Sequence, residues 1–202
     1  MISPQEHERL IGAVRDVEDL TTGELVVVVA EQASSYRSIP VLWALLTALV
    51  VPWPLIWITT LGPSRIFLFQ LLVALALSIF LSWPSRRHAL VPRFIKRARA
   101  REAARREFLS RGLTRTRERT GVLIYIAMAE RYAEILADTG IADRVGPEVW
   151  RDIVAELTGR IGEGRIADGL VAAIRRTGAV LAEHAPPRFD DIDELPNKVI
   201  LL

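Results

Sequence analysis

The chain contains no cysteine. Disulfides, thiolate metal sites and thiol nucleophiles are therefore excluded. Its three histidines, His7, His88 and His184, stand far apart. None has a metal-binding spacing, and each reads as a surface residue. Gly159, Gly162 and Gly164 follow no strand pattern and lead into no Gly-Lys-Ser/Thr. That excludes a nucleotide-type phosphate loop. The first apolar run lies behind an acidic segment, so no cleavable signal peptide is expected. Charge is also missing from the middle of the chain. Ser38 to Ser64 carry none, and after Arg65 none occurs again from Ile66 to Ser85.

This uncharged stretch organises the rest. A membrane-spanning helix needs about 20 predominantly apolar residues. Each half is close to that length, and Leu61-Gly62-Pro63-Ser64 between them is a turn sequence. The pattern predicts a transmembrane hairpin in residues 38–85, with helices over 39–61 and 66–83. Pro52 and Pro54 should kink the first helix. Trp43 and Trp83 fall toward one membrane face, and Trp53 and Trp57 toward the other, as in an interfacial belt. No Asp, Glu, Lys or His lies inside either span, so an ion or proton path is not expected. Residues 1–37 carry seven acids and three arginines, whereas residues 86–119 carry 13 Lys+Arg and three acids. The positive-inside rule then predicts a multi-pass inner-membrane protein with both termini cytoplasmic.

Outside the hairpin about 155 residues remain, enough for one domain with a real core. Ser3-Pro4-Gln5-Glu6 is a helix start with a capping box. Leu10, Ile11, Val14, Val17 and Leu20 follow at helical spacing. Glu24 to Ala30 reads as a strand, and its four consecutive valines imply cover on both faces. Residues 1–37 cannot supply that cover. The domain is thus split, with its first part in 1–37 and its remainder in 86–186, followed by an acidic tail over 187–202. Pro92 starts a basic helix that ends near Gly112. Its Arg93, Lys96, Arg97 and Arg99 are placed to meet anionic lipid headgroups. Val122–Ala127 and Tyr132–Ala137 read as a hairpin of strands, and Pro147 and Arg165 open two amphipathic helices. Gly169 and Gly178 would let the last helix pack closely on the sheet. The apolar end, Val199 to Leu202, reads as a loose segment able to dock. The fold class is α/β, a mixed sheet flanked by helices and interrupted by a two-helix transmembrane hairpin.

TGELVVVVAE at residues 22–31 and TGVLIYIAMAERYAEILADTGI at 120–141, followed by a Trp-containing helix and a Gly-interrupted last helix, resemble the TPM domain. The resemblance covers residues 5–32 and 93–186 and looks like that of a membrane-anchored bacterial member. It implies an α/β sandwich. The family includes bacterial membrane or exported proteins, a thylakoid-lumen protein of photosystem repair and an animal regulator of acetylcholine receptors. Some members are credited with weak acid-phosphatase activity or calcium binding, and others act as assembly or regulatory factors. Many carry Asp-Asn-Gly before the second strand. Here the triplet is Arg119-Thr120-Gly121, so a cation replaces a carboxylate.

A metal site needs clustered carboxylates. Glu24, Glu130, Asp138 and Asp143 lie at strand ends and loops, where α/β sheets bind ligands. Calcium or magnesium is the cation such a site would take. The plain alternatives are an Asx turn at Asp138, solvation at Glu130 and a salt bridge to the basic helix at Glu24. No nucleophile–base pair is visible. The leading expectation is a non-enzymatic interaction or regulatory module at the cytoplasmic membrane face. Its partners would be the lipid bilayer and another protein, with no nucleic acid. The second is a weak, divalent-cation-dependent phosphatase at the membrane surface.

Overall fold

The first helix and first strand show how the chain divides its apolar residues between two cores. In a computed structural model that describes residues 2–36, 38–83, 91–188 and 199–202, α1 spans Pro4–Glu18 and β1 spans Leu25–Ala30. Both halves of the capping box form: Ser3 N–H donates to Glu6 at 2.7 Å, and Glu6 N–H donates to Ser3 Oγ at 3.3 Å. Every residue of β1 is buried. Leu25, Val27 and Val29 enter one core, and Val26, Val28 and Ala30 the other. A strand whose side chains alternate can be valine throughout only when both faces are covered.

The chain forms two compact units, Met1–Ala33 with Arg97–Leu202, and Ser34–Lys96. In the second unit, α2 spans Ser38–Val50, α3 Pro52–Ile58 and α4 Pro63–Leu81. The expected kink is a break between α2 and α3, at the position where Pro52 cannot donate its N–H. α2 and α4 pack on each other. Pro40, Ala44 and Ala48 are buried at successive i, i+4 positions of α2, and such small residues let apolar helices approach. Around that seam the large side chains point outward; Trp57 is 84% exposed. Ser38–Ile58 and Pro63–Leu81, each of mean hydropathy 2.1, are long and apolar enough to cross a membrane.

α5 spans Arg93–Ser110, of which Arg97 onward belongs to the first unit, and is followed by Gly112, whose φ of 79° is the left-handed conformation glycine tolerates. A short 3₁₀ turn at Leu113–Arg115 leads to β2 (Val122–Ala127) and β3 (Tyr132–Ala137). Then come α6 (Thr139–Ala142), α7 (Pro147–Gly162), α8 (Ile166–His184) and β4 (Val199–Leu201). The sheet order is β3-β2-β1-β4. β1 is parallel to β2 and to β4, with Val27 beside Ile124 and Val199. β2 and β3 are antiparallel, with Ile124 opposite Ile135. The fold is therefore α/β, with a mixed sheet between helical layers. Residues of α1, α7 and α8 fill one core, and Ala100, Ala103 and Ala104 of α5 contribute to the other.

Two expectations change. The chain's apolar end is a fourth strand: Leu202 N–H donates to Val29 O at 2.9 Å, and Glu31 N–H to Leu202 O at 2.8 Å. Gly169 and Gly178 do not seat the helix on the sheet. A Cβ on Gly178 would strike Val17 of α1, and one on Gly169 would meet Arg160 and Leu157 of α7. They serve helix-to-helix contact. The acidic residues expected in the tail between 189 and 198, and His88, lie outside the described residues.

Tyr125 is 1% exposed on β2. Burial, with the charges of Glu130 and Glu107 behind it, pushes its hydroxyl up to about 12. Tyr132 is pushed up as well, by burial first and then by its 2.8 Å hydrogen bond to Glu134. A pKa raised in the folded state favours folding below the unfolded value, near 10 for tyrosine, and that contribution is lost as pH rises through the folded one. The urea midpoint should therefore fall from about pH 10 upward. Tyr125→Phe should flatten that fall; an unchanged slope would show that Tyr125 ionises freely.

Candidate functional site

The register of the sheet decides which predicted carboxylates can meet. β1 and β2 begin at the same end, and antiparallel β3 finishes there. Val122 N–H donates to Glu24 O at 2.8 Å, and Asp138 N–H donates to Gly121 O at 2.9 Å. Glu24 and Asp138 thus flank Gly121 at one end of the sheet. Glu130 sits in the β2–β3 turn at the other end, about 20 Å away for six residues of strand. It is buried, not solvated, and its Oε2 accepts the Ala33 N–H at 3.0 Å. That bond ties down the chain where the first unit gives way to the second.

Asp138 caps α6. Its Oδ1 accepts the N–H of the next residue, Thr139, at 2.8 Å, at the N-cap of the helix, in place of the expected Asx turn to residue 140. Asp143 occupies the opposite cap of the same one-turn helix, exposed, while Asp138 is 6% exposed. Five residues of helix separate their backbones by about 7.5 Å along the axis, so the segment does not fold Asp143 back onto Asp138. Glu24 is buried at the start of β1, one strand beyond Gly121.

The residue that does approach Asp138 is Arg119. Its guanidinium lies 3.8 Å from Asp138 Oδ1. The backbone of Arg119 has φ 59°, a conformation unusual for a residue with a side chain. Three hydrogen bonds hold the loop: Arg119 N–H to Thr116 O at 3.1 Å, Thr120 N–H to Thr116 Oγ1 at 3.1 Å, and Gly140 N–H to Arg119 O at 3.0 Å. Gly140 has no room for a side chain, because a Cβ would collide with the carbonyl oxygens of Glu118 and Arg119. The loop from Thr116 to Gly121 and the turn after β3 are thus one locked piece. Asp138 Oδ2 is buried within it and accepts no hydrogen bond.

A hard divalent cation takes six or more oxygens, several of them from carboxylates. Asp138 Oδ2 alone suits that role. Its charged neighbour is a guanidinium, and among the described residues no three His, Asp or Glu side chains group to hold an ion. Among the described residues, these side chains do not make a calcium or magnesium centre. Sequence reasoning noted the cation in the Arg-Thr-Gly triplet but not its pairing with Asp138, which depends on the β2–β3 register.

The family model described as the TPM domain matches residues 87–180. The NMR structure of BA42 protein from the psychrophilic bacterium Bizionia argentinensis sp. nov. superposes with a TM-score of 0.62, covering 100% of this chain and 95% of that one, at 21% identity. At that identity the likeness is one of fold. No curated protein matches. The match to the TPM domain thus covers residues 87–180, and the solved neighbour shares the fold.

Proposed function

We propose that this TPM domain is a membrane-anchored interaction or regulatory module that acts on another protein at the cytoplasmic face of the inner membrane, and is not a hydrolase. The observation that carries the reading is Arg119. A cation stands beside Asp138, where a hydrolytic centre would need a metal and a second carboxylate. The hairpin supports the anchor: Trp43, Leu68, Leu71 and Trp57 are exposed on helices whose one charged residue is Arg65, at the start of α4. Patches of that size are stable against lipid and costly against water. The excess of arginine after the hairpin supports the orientation. Arg93, Arg97 and Arg99 are exposed on α5, and Lys96 is half-buried. Arg93 and Arg97 can lie along anionic headgroups, whereas Arg99 pairs with Glu102 at 3.2 Å.

The second reading is a weak, divalent-cation-dependent phosphatase, and the unpartnered Asp138 Oδ2 is what favours it. One set of measurements separates the two. The full chain should remain in membranes washed with alkaline carbonate. In neutral detergent it should give no saturable heat with Ca²⁺ or Mg²⁺ up to about 10 mM, and no turnover of an aryl phosphate. Turnover that Asp138→Asn removes would overturn the proposal in favour of the phosphatase. Release by carbonate would overturn the anchor.

A further inference from the structure

The helical layer opposite α5 carries a second concentration of charge. α8 lies between α1 and α7, packing on both. Along its outer side runs a hollow of about 400 Å³, floored by Val171 and Ala172. Five arginines from three elements line it: Arg9 on α1, Arg160 on α7, Arg165 at the start of α8, and Arg175 and Arg176 further along. Three carboxylates answer them. Asp168 pairs with Arg9 at 2.9 Å, Glu156 with Arg160 at 2.7 Å and Arg176 at 2.8 Å, and Glu163 with Arg165. The hydrogen bond from Arg176, then the charge of Arg160, hold the Glu156 carboxyl below its usual range. Arg175 has no ion pair among the described residues. Five positive charges against three negative leave the hollow cationic.

Arginine is the informative choice. Its planar fork binds tetrahedral oxyanions at two points, where lysine offers a point charge. The pairs already formed are solvent-exposed and of low strength, so an incoming dianion can displace them. The N-terminus of α8 opens with Arg165 at the cap and no side-chain cap bond, and Asp168 in its first turn, which offsets the partial positive charge there, is itself engaged by Arg9. A polyanionic peptide would need a longer track than this short pit.

We propose that the groove over α8 binds a phosphoryl oxyanion, supplied either by a free phosphorylated metabolite or by a phosphodiester headgroup. The groove is built from the first unit alone and does not depend on the anchor or on Asp138. The test uses the full chain in neutral detergent at low salt. The probes are inorganic pyrophosphate and a short-chain phosphatidylglycerol below its micellar concentration, followed by titration calorimetry. Saturable pyrophosphate binding is expected, weakened about tenfold by Arg175→Gln or Arg165→Gln and several-fold by Arg175→Lys, which keeps charge but loses the fork. Arg101→Gln, on α5 across the sheet, should leave it unchanged. The same pattern with phosphatidylglycerol alone would assign the headgroup as the source. No binding of either probe, or equal weakening by Arg101→Gln, would overturn the proposal and reduce the groove to bulk charge.

Discussion

Gly140→Ala should lower the stability of the first unit by about 3 kcal/mol, enough to bring thermal unfolding down by about 6–12 °C. The added methyl group has nowhere to go, since it meets the backbone oxygens of Glu118 and Arg119 and not a movable side chain. Relief requires the loop before β2 to part from the turn after β3. That breaks the Gly140 N–H to Arg119 O bond and disturbs the Asp138 cap. The control is the same chemical change at Gly159. It lies inside α7 with nothing within 4 Å of its ideal Cβ, so alanine there should stabilise by about 0.5–1 kcal/mol. Thermal unfolding followed by near-UV circular dichroism reads both. Equal effects of one sign at the two sites would show that the loop yields, and the locked-piece description would fail.

Much of the fold was legible because the patterns were extreme. Four valines without alternation could only be a strand covered twice, and Leu25 to Ala30 is that strand. Two uncharged runs around Gly62-Pro63 could only be a pair of apolar helices. What stayed hidden depended on partners far away in sequence. Val199–Leu201 is too short to announce a strand; it becomes one because β1 offers a free parallel edge. Gly178 looked like a sheet contact, yet its neighbour is Val17 of α1, 161 positions earlier. The candidate site divided in the same way. Asp138 was readable from its place between a strand and Gly140. The separation of Glu130 from it follows from the same hairpin, whose antiparallel strands put the turn and Asp138 at opposite ends. The burial of Glu130 was hidden, since its bond to the Ala33 N–H spans 97 residues.

The positive φ at Arg119 links the loop's shape to its chemistry. A left-handed position favours asparagine, aspartate or glycine, and the loop keeps that shape with an arginine in place.

Arg119→Asp should convert the indifferent site into a cation-binding one. The variant puts a second carboxylate on a loop held 3.0 Å from Gly140 N, next to an Asp138 oxygen that has no hydrogen bond. Without metal the two acids repel and the buried carboxylate loses its counter-charge, so the unit should be destabilised by about 1–3 kcal/mol, offset in part because aspartate tolerates the left-handed conformation better than arginine. Calcium should restore the loss. With a dissociation constant of about 1 mM, 10 mM Ca²⁺ stabilises by RT ln 11, about 1.4 kcal/mol, or about 4 °C in melting temperature. The parent chain should show no such rise, and Arg119→Asp combined with Asp138→Asn should show none either. If the parent melts higher in calcium, Arg119 does not stand in for the metal. If only the single variant responds, the charge at position 119 decides whether this fold holds a cation at the end of its sheet.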